Sequence, residues 1–203
     1  MRLTDDRYSR ERDQFELALR MIRHEARTRT IRACTGLSDD RIRKLYTTYF
    51  RNSGQEDVKR RRGKSPRQIN LFVKSPEHQL QTTTLLGLFC LGLLIRIDAD
   101  RRVHAAWPRP DVEFGHRLCR AFETYCLLFD EPVLSFEWAW NLMNNIAYND
   151  ELYVAACRHC EAPYVQDAYA IDARLCPACA RSTSGPCALA AGRTTACAST
   201  TWS

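Results

Sequence analysis

The sequence predicts a mainly α fold, in which a helical body with a helix–turn–helix-like N-terminal part precedes a small four-cysteine module. Two observations support this prediction. Apolar residues recur at the helical period in several segments between residues 15 and 148, and most of these segments begin with helix-capping residues. Four cysteines then form two C-x-x-C pairs between residues 157 and 179. Strands are expected only in the cysteine module, where short hairpins would carry the two pairs.

Composition limits how the chain is organised. It has 203 residues, of which 45% are hydrophobic and 27% charged, as is typical of a soluble globular protein. We expect the helical body over residues 1–150, the cysteine module over 151–180 and a disordered, small-residue tail over 181–203. Nothing resembles a signal peptide, and the longest apolar run, residues 85–97, is shorter than the roughly 20 residues of a membrane span. A cytoplasmic protein with reduced thiols is therefore expected.

Charge is distributed unevenly along the chain. Residues 1–74 carry 20 Lys and Arg against 10 Asp and Glu, whereas residues 75–203 carry 10 against 14. A basic half of this kind favours a polyanionic partner, with nucleic acid first and an anionic membrane surface second. Solvated arginine-rich helices would give the same composition, so charge alone leaves the partner open.

The N-terminal half contains two helical patterns. Residues 15–27 place an apolar stripe at helical spacing. Within residues 28–50 a short segment stops at Gly36, and Ser38 then caps a second helix whose predicted buried face ends at Tyr49. This arrangement is typical of a helix–turn–helix, although many helical hairpins share it. The predicted buried residues are Phe15, Ala18, Leu19, Ile22 and Ala26 in the first stripe, and Ile42, Leu45, Tyr46 and Tyr49 in the last helix.

Residues 51–68 are predicted to be a basic linker, and the run KRRRGK at 59–64 is either a phosphate-binding arm or a solvated segment. Ser75 and Pro76 open a helix expected to reach about Ile97. Further helices are predicted from Asp111 to before Pro132 and after Ser135. Part of this aromatic- and leucine-rich region is expected to form a partner-binding surface.

The cysteine spacing C-x2-C-x15-C-x2-C fits a tetrahedral four-thiolate zinc site of the zinc-ribbon kind. Iron–sulfur ligation by four cysteines stays open. A thioredoxin-like redox site is disfavoured because it needs one C-x-x-C in a βαβ context. The candidate ligands of one Zn²⁺ per chain are Cys157, Cys160, Cys176 and Cys179.

Over about residues 15–180, the chain resembles the family of the flagellar transcriptional activator subunit FlhC. The resemblance is carried by FELALRMIRHEARTRTIRACTGLSDDRIRKLY at 15–46, FEWAWNLMNNI at 136–146 and the two cysteine pairs that follow. It implies a cytoplasmic, mostly helical, zinc-binding subunit. It also implies a hetero-hexamer of four FlhD and two FlhC chains that binds flagellar class II promoters and recruits RNA polymerase.

The preferred hypothesis is therefore a DNA-binding transcription activator, with a zinc-stapled structural adaptor and a zinc-containing nucleic-acid enzyme as alternatives. An enzyme is not expected, because the five histidines are scattered and no H-E-x-x-H or Gly-rich phosphate loop occurs. The candidate DNA-contacting residues are Arg41, Arg43, Lys44, Lys59, Arg60, Arg61 and Arg62.

Overall fold

The computed structural model describes residues 2–51, 58, 59, 61, 68–148, 151–170 and 175–184. Within these residues the fold is mainly helical, as predicted, with eight α-helices and two short antiparallel hairpins. The helices are α1 Arg2–Arg23, α2 Thr28–Thr35, α3 Asp39–Tyr46, α4 Asn70–Val73, α5 Pro76–Leu91, α6 Val112–Leu128, α7 Phe136–Tyr148 and α8 Pro177–Ser184. The strands are β1 Ile95–Ile97, β2 Val103–Ala105, β3 Leu152–Ala156 and β4 Pro163–Asp167.

Helix α1 packs against α2, α3 and α6. The predicted stripe is buried or half-buried, but the pattern missed Leu17 and Met21, which are both fully buried. These two residues widen the apolar face, because α1 is covered by neighbours on more than one side. Helix α1 is therefore a central support for the N-terminal helices.

The α2–α3 connection forms as the sequence predicts. Gly36 adopts a left-handed φ of 70° and donates its N–H to the Arg32 carbonyl at 2.9 Å, which ends α2. Ser38 accepts a hydrogen bond from the Arg41 N–H and so caps α3, whose first turn carries Asp39 and Asp40.

The prediction that Tyr49 is buried is wrong. After α3 the chain makes a π-helical turn over Thr47–Arg51, which has more residues per turn than an α-helix. The wider turn moves the next inward position to Phe50, which is buried, while Tyr49 is 47% exposed. The ring of Tyr49 instead meets the edge of Phe15 at a centroid distance of 6.0 Å.

The prediction for residues 76–97 is only partly correct. Ser75 caps α5 and Pro76 opens it, but α5 ends at Leu91 instead of continuing to Ile97. Gly92 and Leu93, the latter with φ 56°, turn the chain into the β1–β2 hairpin. Strands are therefore not confined to the cysteine module. The β-branched Ile95 and Ile97 favour a strand over a further helical turn.

Aromatic rings fill the space between α1, α6 and α7. Phe122 meets Phe136 edge-on at 5.3 Å, and Phe114 meets Trp140 edge-on at 6.0 Å. Helix α6 also holds Tyr125, which is fully buried and donates its hydroxyl to the Gln81 side chain of α5. The three tryptophans over 107–140 are partly buried and pack against the core.

The C-terminal cysteine segment contains the β3–β4 hairpin and α8. Both β4 and α8 pack against α5. Residues 181–184, predicted to begin the disordered tail, belong to α8; residues 185–203 lie outside the described part of the chain. Among the described helices, none is both long enough and apolar enough to cross a membrane.

Candidate metal centre

Four cysteine sulfurs converge at the end of the β3–β4 hairpin. The Sγ atoms of Cys157, Cys160, Cys176 and Cys179 all lie within 4.8 Å of one another. The Sγ atoms of Cys160 and Cys176 are 3.7 Å apart. Sulfurs bound at about 2.3 Å to one tetrahedral ion are about 3.8 Å apart, whereas a disulfide requires about 2.05 Å. The arrangement therefore fits a single metal ion held by four thiolates.

The first cysteine pair is held by a tight turn at the end of β3. Cys157 donates its N–H to the Ala162 carbonyl at 3.0 Å, and its own carbonyl accepts from the Glu161 N–H at 2.9 Å. Glu161 has a left-handed φ of 61°, which reverses the chain directly after Cys160. The turn brings Cys160 back beside Cys157.

The second cysteine pair lies at the start of α8. Cys176 precedes Pro177, a favoured first residue of a helix, and Cys179 follows within the first turn. The Cys176 N–H donates to the Cys157 sulfur at 3.2 Å, and the Cys179 N–H donates to the Cys176 sulfur at 3.5 Å. Backbone amides therefore connect the two pairs and orient the sulfurs.

Electrostatics within the cluster favour a bound cation. Amide hydrogen bonds, that of Cys176 foremost, lower the pKa of Cys157 to about 6. Hydrogen bonding with the neighbouring Cys160 thiol and then with Cys176 raises the pKa of Cys179 to about 12. Four adjacent thiols cannot all ionise without a counter-charge, and a divalent ion supplies it.

The centre is closed. Cys157 and Cys176 are buried and pack with Ala155 and Tyr164 in a small apolar cluster. Four sulfurs bound to one tetrahedral ion would leave no ligand position for a water. His159, in the same turn, is exposed to solvent. Within the described residues, no other group of His, Cys, Asp or Glu converges as a metal site.

Polar side chains of α5 fasten the cysteine segment to the body. Gln79 donates through Nε2 to the Val165 carbonyl at 2.9 Å, and the Val165 N–H donates to Thr83 Oγ1 at 3.1 Å. Arg181 of α8 pairs with Glu77 at the start of α5. These contacts join the predicted module to the body; the boundary near residue 150 stays a prediction.

The candidate DNA-contacting residues of α3 are all exposed. Arg41, Arg43 and Lys44 face solvent, and Arg43 pairs with Asp40 at 3.0 Å. Because Asp40 is itself exposed, this pair leaves the Arg43 guanidinium accessible. The cations therefore lie on the side of α3 that faces away from the core.

The basic run after α3 is described only at two positions. Lys59 is exposed, and Arg61 donates to Glu25 at 2.7 Å. The Tyr46 hydroxyl donates to the Val58 carbonyl at 2.8 Å, which holds this segment beside α3. The remaining two candidates, Arg60 and Arg62, lie outside the described residues.

One basic surface was missed by the sequence interpretation. Arg96, Arg101 and Arg102 lie on the β1–β2 hairpin and are all exposed. The alternation in IRIDADRRVH, with a DAD turn at its centre, could have identified this hairpin. The sequence prediction instead assigned residues 95–97 to the end of α5 and residues 98–102 to a break in the chain.

No protein-family model matches the chain, and no curated protein shows significant similarity to it. The cysteine cluster and the exposed cations of α3 are the features of the described residues that bear on function. The cysteine cluster supplies the more specific geometry of the two.

Proposed function

We propose that the chain is a zinc-binding subunit of a DNA-binding transcription activator, which acts with a helical FlhD-like partner at flagellar promoters and recruits RNA polymerase. The observation that carries this proposal is the four-thiolate centre at the positions that the FlhC resemblance assigns to zinc ligands. The capped helix α3, with three exposed cations, supplies the contact to DNA. The partner, the hexamer of four D and two C chains and the polymerase follow from the resemblance.

Zinc is the proposed metal because it accepts four thiolates in a tetrahedron and needs no redox partner. The purified, reduced chain should contain one zinc per chain. Elemental analysis measures this ratio, and a visible charge-transfer spectrum would identify iron instead. A chain that folds without any stoichiometric metal would contradict the proposal.

Most of the affinity of the proposed DNA contact is electrostatic. Each neutralised phosphate contributes a slope of about 0.9 to the dependence of log affinity on log salt. Three contacts from α3 would therefore weaken binding roughly 40-fold between 50 and 200 mM salt. Binding to promoter DNA that is unchanged over this range would contradict an electrostatic contact.

Arg43 provides the residue-level test. Replacing it as Arg43→Gln removes one exposed cation, and should lower both the affinity for promoter DNA and the salt slope, the latter by about 0.9. Arg120→Gln is the matched control, since Arg120 is an exposed arginine on α6. Equal titration curves for Arg43→Gln and Arg120→Gln would show that α3 does not contact DNA.

Exposed leucines support a protein partner. Leu91 and Leu127 are 81% and 87% exposed, and Leu93 and Leu128 are also exposed near the C-terminal ends of α5 and α6. Large apolar side chains on a soluble surface are typical of interfaces. Co-purification with the neighbouring chain, followed by mass measurement, should give a hetero-oligomer; a stable monomer at high concentration would contradict this part.

We propose no catalytic activity for the metal centre, because four protein sulfurs fill a tetrahedral ion. A purely structural adaptor is the second candidate, and the contacts between the cysteine segment and α5 favour it. The two candidates differ in DNA binding by the complex with its partner. An adaptor would give the same low affinity for promoter and unrelated DNA.

A further inference from the structure

A groove lies between the β1–β2 hairpin on one side and the last turn of α7 and strand β3 on the other. Its lining includes Arg101, Arg102 and His104 of the hairpin on one side, and Tyr148 and Tyr153 on the other. The apolar residues Ile146 and Val154, both buried, also line it. The groove therefore combines cations, aromatic rings and an apolar surface. It lies on different elements from α3, and it shares only β3 with the cysteine centre.

The hairpin turn gives Arg101 an unusual backbone. The Arg101 N–H closes the turn by donating to the Asp98 carbonyl at 3.0 Å, and the Asp98 N–H donates to the Arg102 carbonyl at 3.1 Å. Arg101 has φ 63°, a conformation that glycine adopts most readily at this place in a hairpin. An arginine at this position is less favourable for the turn than a glycine. The geometry of the turn therefore does not explain why residue 101 is an arginine.

The Asp98 carboxylate of the turn has its hydrogen-bond partners within the hairpin. The Asp98 carboxylate accepts from the Arg102 N–H at 2.8 Å and pairs with His104 Nε2 at 2.8 Å. Neither Arg101 nor Arg102 has a carboxylate partner among the described residues. Asp100 is the one acid among the described residues that line the groove, and it is exposed. Within the described part of the chain, the two guanidinium groups are therefore accessible to an external anion.

The tyrosines supply flat surfaces next to these cations. Tyr148, at the end of α7, is 62% exposed, and Tyr153, on β3, is 41% exposed. Tyrosine hydroxyls donate to phosphate, and exposed rings next to arginine pack against sugars and bases. A basic groove with two open aromatic rings is typical of surfaces that follow a nucleic-acid backbone.

We infer that this groove binds the phosphodiester backbone of nucleic acid, with Arg101 and Arg102 contacting phosphates and the two tyrosines packing against the adjoining nucleotides. The inference rests on the proposed function, since it adds a second contact surface for the same class of ligand. Duplex promoter DNA and a separated strand both present this backbone. The experiment distinguishes these two sources.

The decisive variant is Arg101→Gly. It removes a guanidinium while giving the turn the residue that φ 63° favours, so the folded chain should be at least as stable as the wild type. Loss of one phosphate contact should weaken binding about eightfold at 0.1 M salt and lower the salt slope by about 0.9. Arg101→Lys keeps the charge and should retain most of the affinity. Asp100→Asn removes a negative charge from the same groove and should tighten binding.

The titrations use the full chain with its metal, against labelled duplex DNA and against one strand of the same sequence. The form that loses more affinity in Arg101→Gly is the ligand of the groove. Unchanged affinity and slope for both forms would overturn the inference. Binding of inorganic phosphate to the groove, without binding of either form of DNA, would also overturn the inference.

Comparison with Arg43→Gln separates this inference from the proposed function. If Arg43→Gln weakens binding and Arg101→Gly does not, the DNA-binding proposal stands and the groove inference fails. If only Arg101→Gly weakens binding, the groove is a nucleic-acid site and α3 is not. If neither variant changes binding, the groove inference fails and α3 is not the DNA contact, whereas a chain that binds no promoter DNA at all contradicts the proposed function.

Discussion

A change of one glycine tests how the N-terminal helices are held together. Gly115 of α6 lies where α6 meets α1 and α2. A Cβ atom added at Gly115 would lie 2.5 Å from Leu17 Cδ2 and 3.0 Å from Cys34 Cβ. Both neighbours are buried, so neither can move into solvent. Gly115→Ala therefore overpacks the contact that positions α2 and, through it, α3.

The magnitude follows from two opposing terms. Overpacking of a tight core costs about 1–3 kcal/mol, whereas replacing glycine by alanine within a helix contributes about 1 kcal/mol of stability. Gly87 of α5 is the matched control, because a Cβ added there would meet no atom within 4 Å. Gly87→Ala should therefore stabilise the chain by about 1 kcal/mol. The contribution of alanine to helix stability is the same in both variants. The difference between their free energies of unfolding, about 1–3 kcal/mol, therefore measures the cost of overpacking.

Urea unfolding followed by circular dichroism measures both variants under the same conditions. The free energy of unfolding should be highest for Gly87→Ala and lowest for Gly115→Ala. If Gly115→Ala proves as stable as Gly87→Ala, the space around Gly115 is not as tight as the 2.5 Å and 3.0 Å distances from an added Cβ atom indicate, and the account of how α3 is positioned fails.

Three further predictions concern the core, a surface charge cluster and the metal. Tyr125→Phe removes the hydroxyl that donates to Gln81 and accepts from the Leu134 N–H at 3.1 Å, so urea unfolding should show a loss of about 1–3 kcal/mol. Hydrogen bonding to Arg20 lowers the pKa of Glu123 to about 2, so its stabilising charge is fully present above about pH 4.3 and is lost as the pH falls toward 2. After allowance for solvent screening, the Glu123 charge stabilises the fold by on the order of 1 kcal/mol. In acid unfolding, the difference in stability between the wild type and Glu123→Gln should therefore decrease as the pH falls from about 4.3 toward 2. Chelation of the metal should lower the melting temperature and increase amide exchange in β4, and a chelated chain that melts like the untreated one would contradict a structural metal.

Helix starts were the most predictable part of the fold. Ser38 and Ser75 both cap helices as expected, because a serine hydroxyl accepts an amide that the helix itself leaves unpaired. Gly36 ends α2 as expected, because a left-handed residue is needed there. These caps depend on only two or three neighbouring residues, so they can be predicted from the local sequence.

Helix ends that depend on tertiary packing were harder to predict. The apolar run after Ser75 gives no sign of where α5 stops, because a buried helix and a buried strand are both apolar. Only Gly92 and the β-branched residues beyond it indicate the change to β1. The π-helical turn that buries Phe50 in place of Tyr49 has no comparable signal, because its phase is set by packing against α1.

The cysteine spacing predicted which sulfurs converge, but not what the cysteine segment packs against. The polar residues Gln79 and Thr83 lie one helical turn apart on α5 and hydrogen-bond the backbone of β4 at Val165. A strand edge held by a helix needs polar partners at such positions, because buried amides and carbonyls must be paired. Free energy gained when the metal binds therefore acts on α5 as well as on its own ligands, because α5 and β4 share these bonds. Helix α5 also packs against α6, which contacts α1 and α2, so consecutive packed elements lie between the cysteine cluster and α3. If the chain binds a metal and DNA as proposed, loss of the metal should weaken DNA binding even if no cysteine touches DNA.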